Sequence, residues 1–164
     1  MAFRITALFL AASAVATASW ASDAQEPASA EAAAVTIETD KLVAGRRAGF
    51  WMSAGLFGGM NGVIKSGGEV KGLAFAARTL NGWATTMPGL FPEGAVNARS
   101  NALPAVWSDR EGFLATARLY QERTAKLTEL AAAGDNEGFA AQWTVVRQTC
   151  STCHDTYRKK REAE

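Results

Sequence analysis

Both cysteines and the single histidine of this 164-residue chain fall within five consecutive positions, Cys150-Ser151-Thr152-Cys153-His154. On a helix, residues three and four apart share a face, so Cys150, Cys153 and His154 point the same way. C-x-x-C-H is the spacing of covalent haem attachment. Two thiols become thioethers at the porphyrin rim, and the imidazole reaches the iron at its centre. Two other chemistries use similar residues. A C-x-x-C redox disulfide opens a helix after a strand, whereas this motif stands late in a helical stretch. A structural zinc site takes four cysteine or histidine ligands, and the chain has too few. The motif therefore predicts one haem c per chain, with His154 as the metal ligand.

The first residues predict the compartment in which such attachment occurs. Arg4 precedes an apolar run from Ile5 to Ala18, and Ser19-Trp20-Ala21 supplies a small-x-small cleavage site. That is the pattern of a secretory signal peptide over 1–21, with cleavage after Ala18 as the alternative, and it is too short to span a membrane. Residues 22–36 are rich in Ala, Ser, Glu and Pro and read as a flexible leader. The remainder, 37–164, is long enough for one domain with a core of its own. The chain carries 17 basic and 16 acidic side chains, and removal of Arg4 evens them. Such a balance argues against nucleic acid and anionic membranes as partners.

Periodicity predicts four helices and no strand. Val43, Phe50, Ala54, Phe57 and Ile64 recur at helical steps over about 38–64, in a segment laden with glycine. The glycines suggest close approach by a helix or a porphyrin, or a kink near Gly58-Gly59. After Ser66-Gly67-Gly68, a second helix over about 69–87 carries Val70, Leu73, Ala77, Leu80 and Ala84, and Pro88 stops it. Residues 89–107 form a long irregular connection of the kind that is often functional. Ser108 to Glu111 fits a capping box for a third helix, with Ser108 as N-cap. Its stripe is Phe113, Ala117, Tyr120, Thr124, Leu127 and Ala131, and Gly134 ends it. Asp135 caps a fourth helix with Phe139, Trp143, Val146, Cys150, Cys153 and Tyr157 on one face. A solvated run begins at Arg158. Short, long and short connections suggest an all-α, up-and-down antiparallel four-helix bundle with the covalently attached haem in its core near one end.

A secreted chain of this length, with four helices and with C-x-x-C-H followed by Asp155-Thr156-Tyr157-Arg158 near the C-terminus, resembles class II cytochrome c, the cytochrome c′ family. Arg46, Phe50 and Phe57-Gly58-Gly59-Met60 resemble that family's distal-side helix, and Trp107-Ser108 also fits. The resemblance covers roughly 38–160. It implies that Cys150 and Cys153 hold the haem and that His154 is the proximal ligand. Arg158 then lies beside that ligand and Arg46 pairs with a haem propionate. It also implies a homodimer through the first two helices.

The open question is the sixth coordination position. With one histidine, bis-histidine ligation within a chain is impossible, leaving Met52, Met60, Met87, a lysine, water or nothing. The resemblance implies that a single first-helix position decides: methionine in low-spin electron carriers, an apolar non-ligand in gas-binding members. That position is Phe50, which has no lone pair for iron and no hydrogen-bond donor for polarised dioxygen. The reading is a periplasmic, five-coordinate, high-spin haem protein that binds nitric oxide first and carbon monoxide next. The alternative is a six-coordinate carrier ligated by Met52 and feeding a periplasmic redox partner. An enzyme ranks third. Peroxide cleavage calls for a distal acid–base residue, and neither Arg46 nor Arg47 makes a general base.

Overall fold

The computed structural model describes residues 39–160. The expected signal peptide (1–21) and leader (22–36), and residues 161–164, lie outside them. The described residues form four helices and no strand: α1 Thr39–Lys65, α2 Ala74–Thr86, α3 Arg110–Ala133 and α4 Asn136–Tyr157. Short 3-10 turns, Val70–Leu73 and Met87–Leu90, bracket α2, and one helical turn, Ala105–Ser108, precedes α3. No helix among the described residues is long and apolar enough to cross a membrane.

Each boundary has a local cause. The α1 end is closed by Gly67 at φ 66°. Gly67 N donates to Ile64 O and Gly68 N to Val63 O, satisfying the last carbonyls. The α3 end repeats the device, with Gly134 at φ 72° and bonds from Gly134 N to Ala131 O and Asp135 N to Leu130 O. Asp135 then caps α4 by accepting from Gly138 N at 2.9 Å. The start of α3 corrects the expected capping box. Ser108 is spent in the preceding helical turn, and Asp109 is the N-cap, its carboxylate accepting from Gly112 N. The glycines near Gly58-Gly59 do not end or interrupt α1. The helix runs unbroken to Lys65.

The interior divides along the bundle. One cluster, including Met60, Leu80, Leu127 and Phe139, fills the end near the α1–α2 and α3–α4 turns. The other, including Met87, Phe91, Val106, Phe113 and Tyr157, lies at the opposite end. Between α1 and α4 contact is sparse, and one strong tie joins them. Phe57 and Trp143 stack at 4.5 Å, and Trp143 Nε1 donates to Phe57 O at 3.1 Å. The long connection is a strap across the second end. Asn97 Nδ2 donates to Asp40 Oδ1 at 2.7 Å and Trp107 Nε1 to Pro92 O at 2.8 Å. Leu103 N bonds Tyr157 O and Lys159 N bonds Asn101 O, so the strap also grips the chain just past α4.

Candidate haem site

Helical spacing does what the motif requires. Cys150, Cys153 and His154 all line one cavity of about 480 Å³ at the strap end of the bundle, a volume in the range of cofactor sites. Both cysteines are unpaired and half-buried. Burial raises both thiols, and with Cys150 beside it Cys153 is pushed up to about 11. A reactive redox C-x-x-C has a depressed pKa instead, so the disulfide reading loses its support. Among the described residues no group of three or more His, Cys, Asp or Glu could hold a metal by itself. A metal at His154 must bring most of its ligands with it, as a porphyrin does.

The walls fit such a group. Phe50 stands in the cavity wall, edge-on to Trp83 at 5.1 Å and to Phe91 at 6.3 Å. Trp83 is fixed in turn by Gly49, where a Cβ would overlap the indole ring. Five cations line the cavity, namely Arg46, Arg47, Arg147, Arg158 and Lys159, and no carboxylate does. Two lining residues also carry buried donors with no hydrogen-bond partner, Trp83 Nε1 and Arg158 Nε. Unsatisfied buried donors cost about 1–3 kcal/mol each. An apolar, aromatic chamber with unpaired donors and a cationic border suits a flat macrocycle bearing two carboxylates.

Arg46 is 3% exposed. It donates to Ser100 Oγ at 2.8 Å and Leu90 O at 3.2 Å, and its guanidinium lies 4.5 Å from the Phe91 ring centre. Burial lowers its pKa. The ordinary fate of a helix-start arginine is solvation; the strap makes this one a buried fixture. Arg47 is half-buried and donates to Arg99 O. Arg158, expected to begin a solvated run, is half-buried instead, because α4 ends at Tyr157 and an isolated antiparallel bridge pairs Arg158 with Ala102.

The methionines separate. Met52 is 66% exposed and lines a different, outward groove between α1 and α2, with Leu56 and Thr79 among its neighbours. Met60 lies in the far core cluster. Met87, 4% exposed, lines the haem cavity. Sequence reasoning did not single out Trp83, Phe91 or Ser100. Trp83 stands three residues after Leu80, on the flank of the buried stripe, a signal that was legible. Phe91 and Ser100 sit in the aperiodic strap, where no pattern could have found them.

The Cytochrome C' family matches residues 41–158 by its sequence model. Cytochrome c′ of Alcaligenes xylosoxydans xylosoxydans is 32% identical over 123 residues, spanning 71% of this chain and 91% of that protein. The bundle is similar to the nitric oxide complex of a leucine-to-alanine variant of cytochrome c prime from Alcaligenes xylosoxidans. That match has TM-score 0.70 and 27% identity, covering 75% of this chain and 97% of the other. It is equally similar, at TM-score 0.70 and 27% identity, to a carbon monoxide-bound leucine-to-glycine variant, covering 75% and 98%. With C-x-x-C-H on one cavity face, an up-and-down bundle around it and a family match along nearly the whole described length, this chain belongs to the cytochrome c′ family and carries covalently attached haem c.

Proposed function

We propose that this chain is a periplasmic gas-binding haem protein, five-coordinate and mostly high-spin, that takes nitric oxide first and carbon monoxide next. Bound haem supplies an iron with one coordination position open to a small ligand. Cys150 and Cys153 tether it and His154 holds the proximal side. Arg158 borders that side, and Arg46 stands within the border that would meet a propionate. The observation that carries the reading is the division of α1. Phe50, which cannot ligate, faces the cavity, while Met52 faces the outer groove. The aromatic packing of Phe50 against Trp83 and Phe91 crowds the distal side and presents no hydrogen-bond donor on Phe50 itself. That favours ligands whose bond to iron is strong without help. The nitric oxide and carbon monoxide complexes of the similar proteins support the same ligand class.

One observation favours a second reading. Met87 lines the cavity, so a low-spin electron carrier would use Met87 in place of Met52. The non-enzymatic reading rests on the lining, where the one histidine is His154, on the proximal side, and no carboxylate stands. We also propose a homodimer through the outer faces of α1 and α2, where Met52 and Phe75 are exposed. Sedimentation of the holoprotein tests it.

Optical spectra of the ferric and ferrous protein, with and without nitric oxide, test the main reading. A broad high-spin ferrous band that changes on adding nitric oxide supports it. A sharp methionine-ligated low-spin spectrum overturns it.

A further inference from the structure

The cavity opens between α1 and α4. Its exposed lining residues are Trp51, Ala54 and Gly58 on one lip, Arg147 and Ser151 on the other, and Asn101 and Lys159 where the strap meets the tail. Among the described residues no ion pair engages any of the five cations that line it. Two propionates can offset at most two of them, so the mouth stays positive after haem is in place. The chain as a whole is close to neutral at +1, which makes this a local feature. On the α1 lip stands Trp51, a large apolar side chain that is 63% exposed.

Tryptophan and arginine dominate the energetic centres of protein interfaces, and a one-signed rim steers an oppositely charged partner into register. We propose that this mouth is a docking surface for the acidic face of an electron-transfer protein. Trp51 is the apolar anchor, and Arg47, Arg147 and Lys159 are the steering charges. The proposal rests on haem occupying this cavity, since a partner seated on the mouth would exchange electrons with a haem held there by Cys150, Cys153 and His154. One electron passes between the partner's redox centre and the haem iron in either direction, and no bond forms or breaks.

The test uses the holoprotein and an acidic plant-type [2Fe–2S] ferredoxin as probe, with affinity for the oxidised probe measured by calorimetry at low and physiological salt. The expected result is binding that weakens with salt, and that falls about tenfold or more in R147E/K159E. It should be unchanged in R78E/R118E, whose arginines are exposed elsewhere. W51S should weaken what remains at physiological salt, where charge steering is screened. R147Q/K159Q gives a milder version should the reversed pair fold poorly. Equal loss in R78E/R118E would make net charge the cause and overturn the proposal. So would the absence of ferredoxin binding, including the case in which only anionic vesicles bind or only the rate with hexacyanoferrate responds to the variants. Spectra of the same samples report the coordination reading separately, so a low-spin haem with intact docking would sink that reading alone.

Discussion

Phe50 stands in the cavity wall against Trp83 and Phe91, and on the proposed reading it screens what reaches the iron. Phe50→Ala removes the ring over the cavity and leaves Trp83 and Phe91 in place. Carbon monoxide association followed by flash photolysis should accelerate about tenfold, the equivalent of about 1.4 kcal/mol. Gly49 acts one step back. A methyl there would overlap the Trp83 indole, and over-packing of this kind costs about 1–3 kcal/mol. Gly49→Ala should therefore lower the melting temperature and disturb carbon monoxide kinetics together, since Trp83 carries the strain to Phe50. Tyr157 is the third such residue. Its hydroxyl donates to Asp109 Oδ2 at 2.7 Å. Burial first, then the bond to Asp109 and its charge, raise its pKa above the ordinary value of about 10. The folded chain keeps a proton that the unfolded chain releases. Stability from this source is complete below about pH 10 and is lost as pH rises through the raised value. Tyr157→Phe should cost about 0.5–1.5 kcal/mol at neutral pH and flatten part of the alkaline decline, as melts from neutral to alkaline pH would reveal. Burial also raises Tyr120, which contributes to the part that remains.

At the scale of elements, the strap is where physics departs from pattern. The α2 stripe was legible because a helix repeats its environment every turn: Val70, Ala77, Leu80 and Ala84 are all buried as spaced, whereas in α1 Ala54 is exposed and the buried positions are Val43, Arg46, Gly49, Ser53 and Met60. The haem motif was legible for the same reason, as three residues share one face of α4. Gly134 and Asp135 were legible because turn chemistry is local. The strap has no period, and its role depends on bonds to residues dozens of positions away. Arg46 reaches Leu90 and Ser100, and Lys159 reaches Asn101. The α3 cap slipped by one residue for a related reason. The extra helical turn at Ala105–Ser108 has no hydrophobic repeat to announce it. These long-range bonds make a prediction about the strap as a unit. Arg46→Ala severs both charged-donor bonds, each worth about 1.5–3 kcal/mol when buried. It also removes the cation over Phe91. Limited proteolysis should then cut between Pro92 and Asn101 much faster than in the parent chain, while the α3–α4 hairpin resists.

For the whole molecule, the two core clusters imply unequal dependence on the haem. The far cluster around Met60, Leu80, Leu127 and Phe139 is fully buried, and it meets the cavity only through partly buried neighbours such as Phe57, Tyr120 and Cys150. The near cluster borders a chamber of about 480 Å³ that also carries buried donors without partners on Trp83 and Arg158. Packed interiors tolerate few voids larger than a water molecule, and unsatisfied donors add their own penalty. The near half is therefore complete only when the macrocycle fills it, and the tie between α1 and α4 through Phe57 and Trp143 lies beside the far cluster. A Cys150→Ala/Cys153→Ala chain, which cannot tether haem, should keep most of its helical circular dichroism yet lose cooperativity. Hydrogen exchange should find the graded pattern that local unfolding units produce. Amides of Leu127–Ala131 and Phe139–Val146 should stay protected, while those of the strap and of Cys150–Tyr157 exchange orders of magnitude faster. Uniform exchange across both halves would show instead that the bundle holds or fails as one body. The haem would then be a guest of the fold and no part of its core.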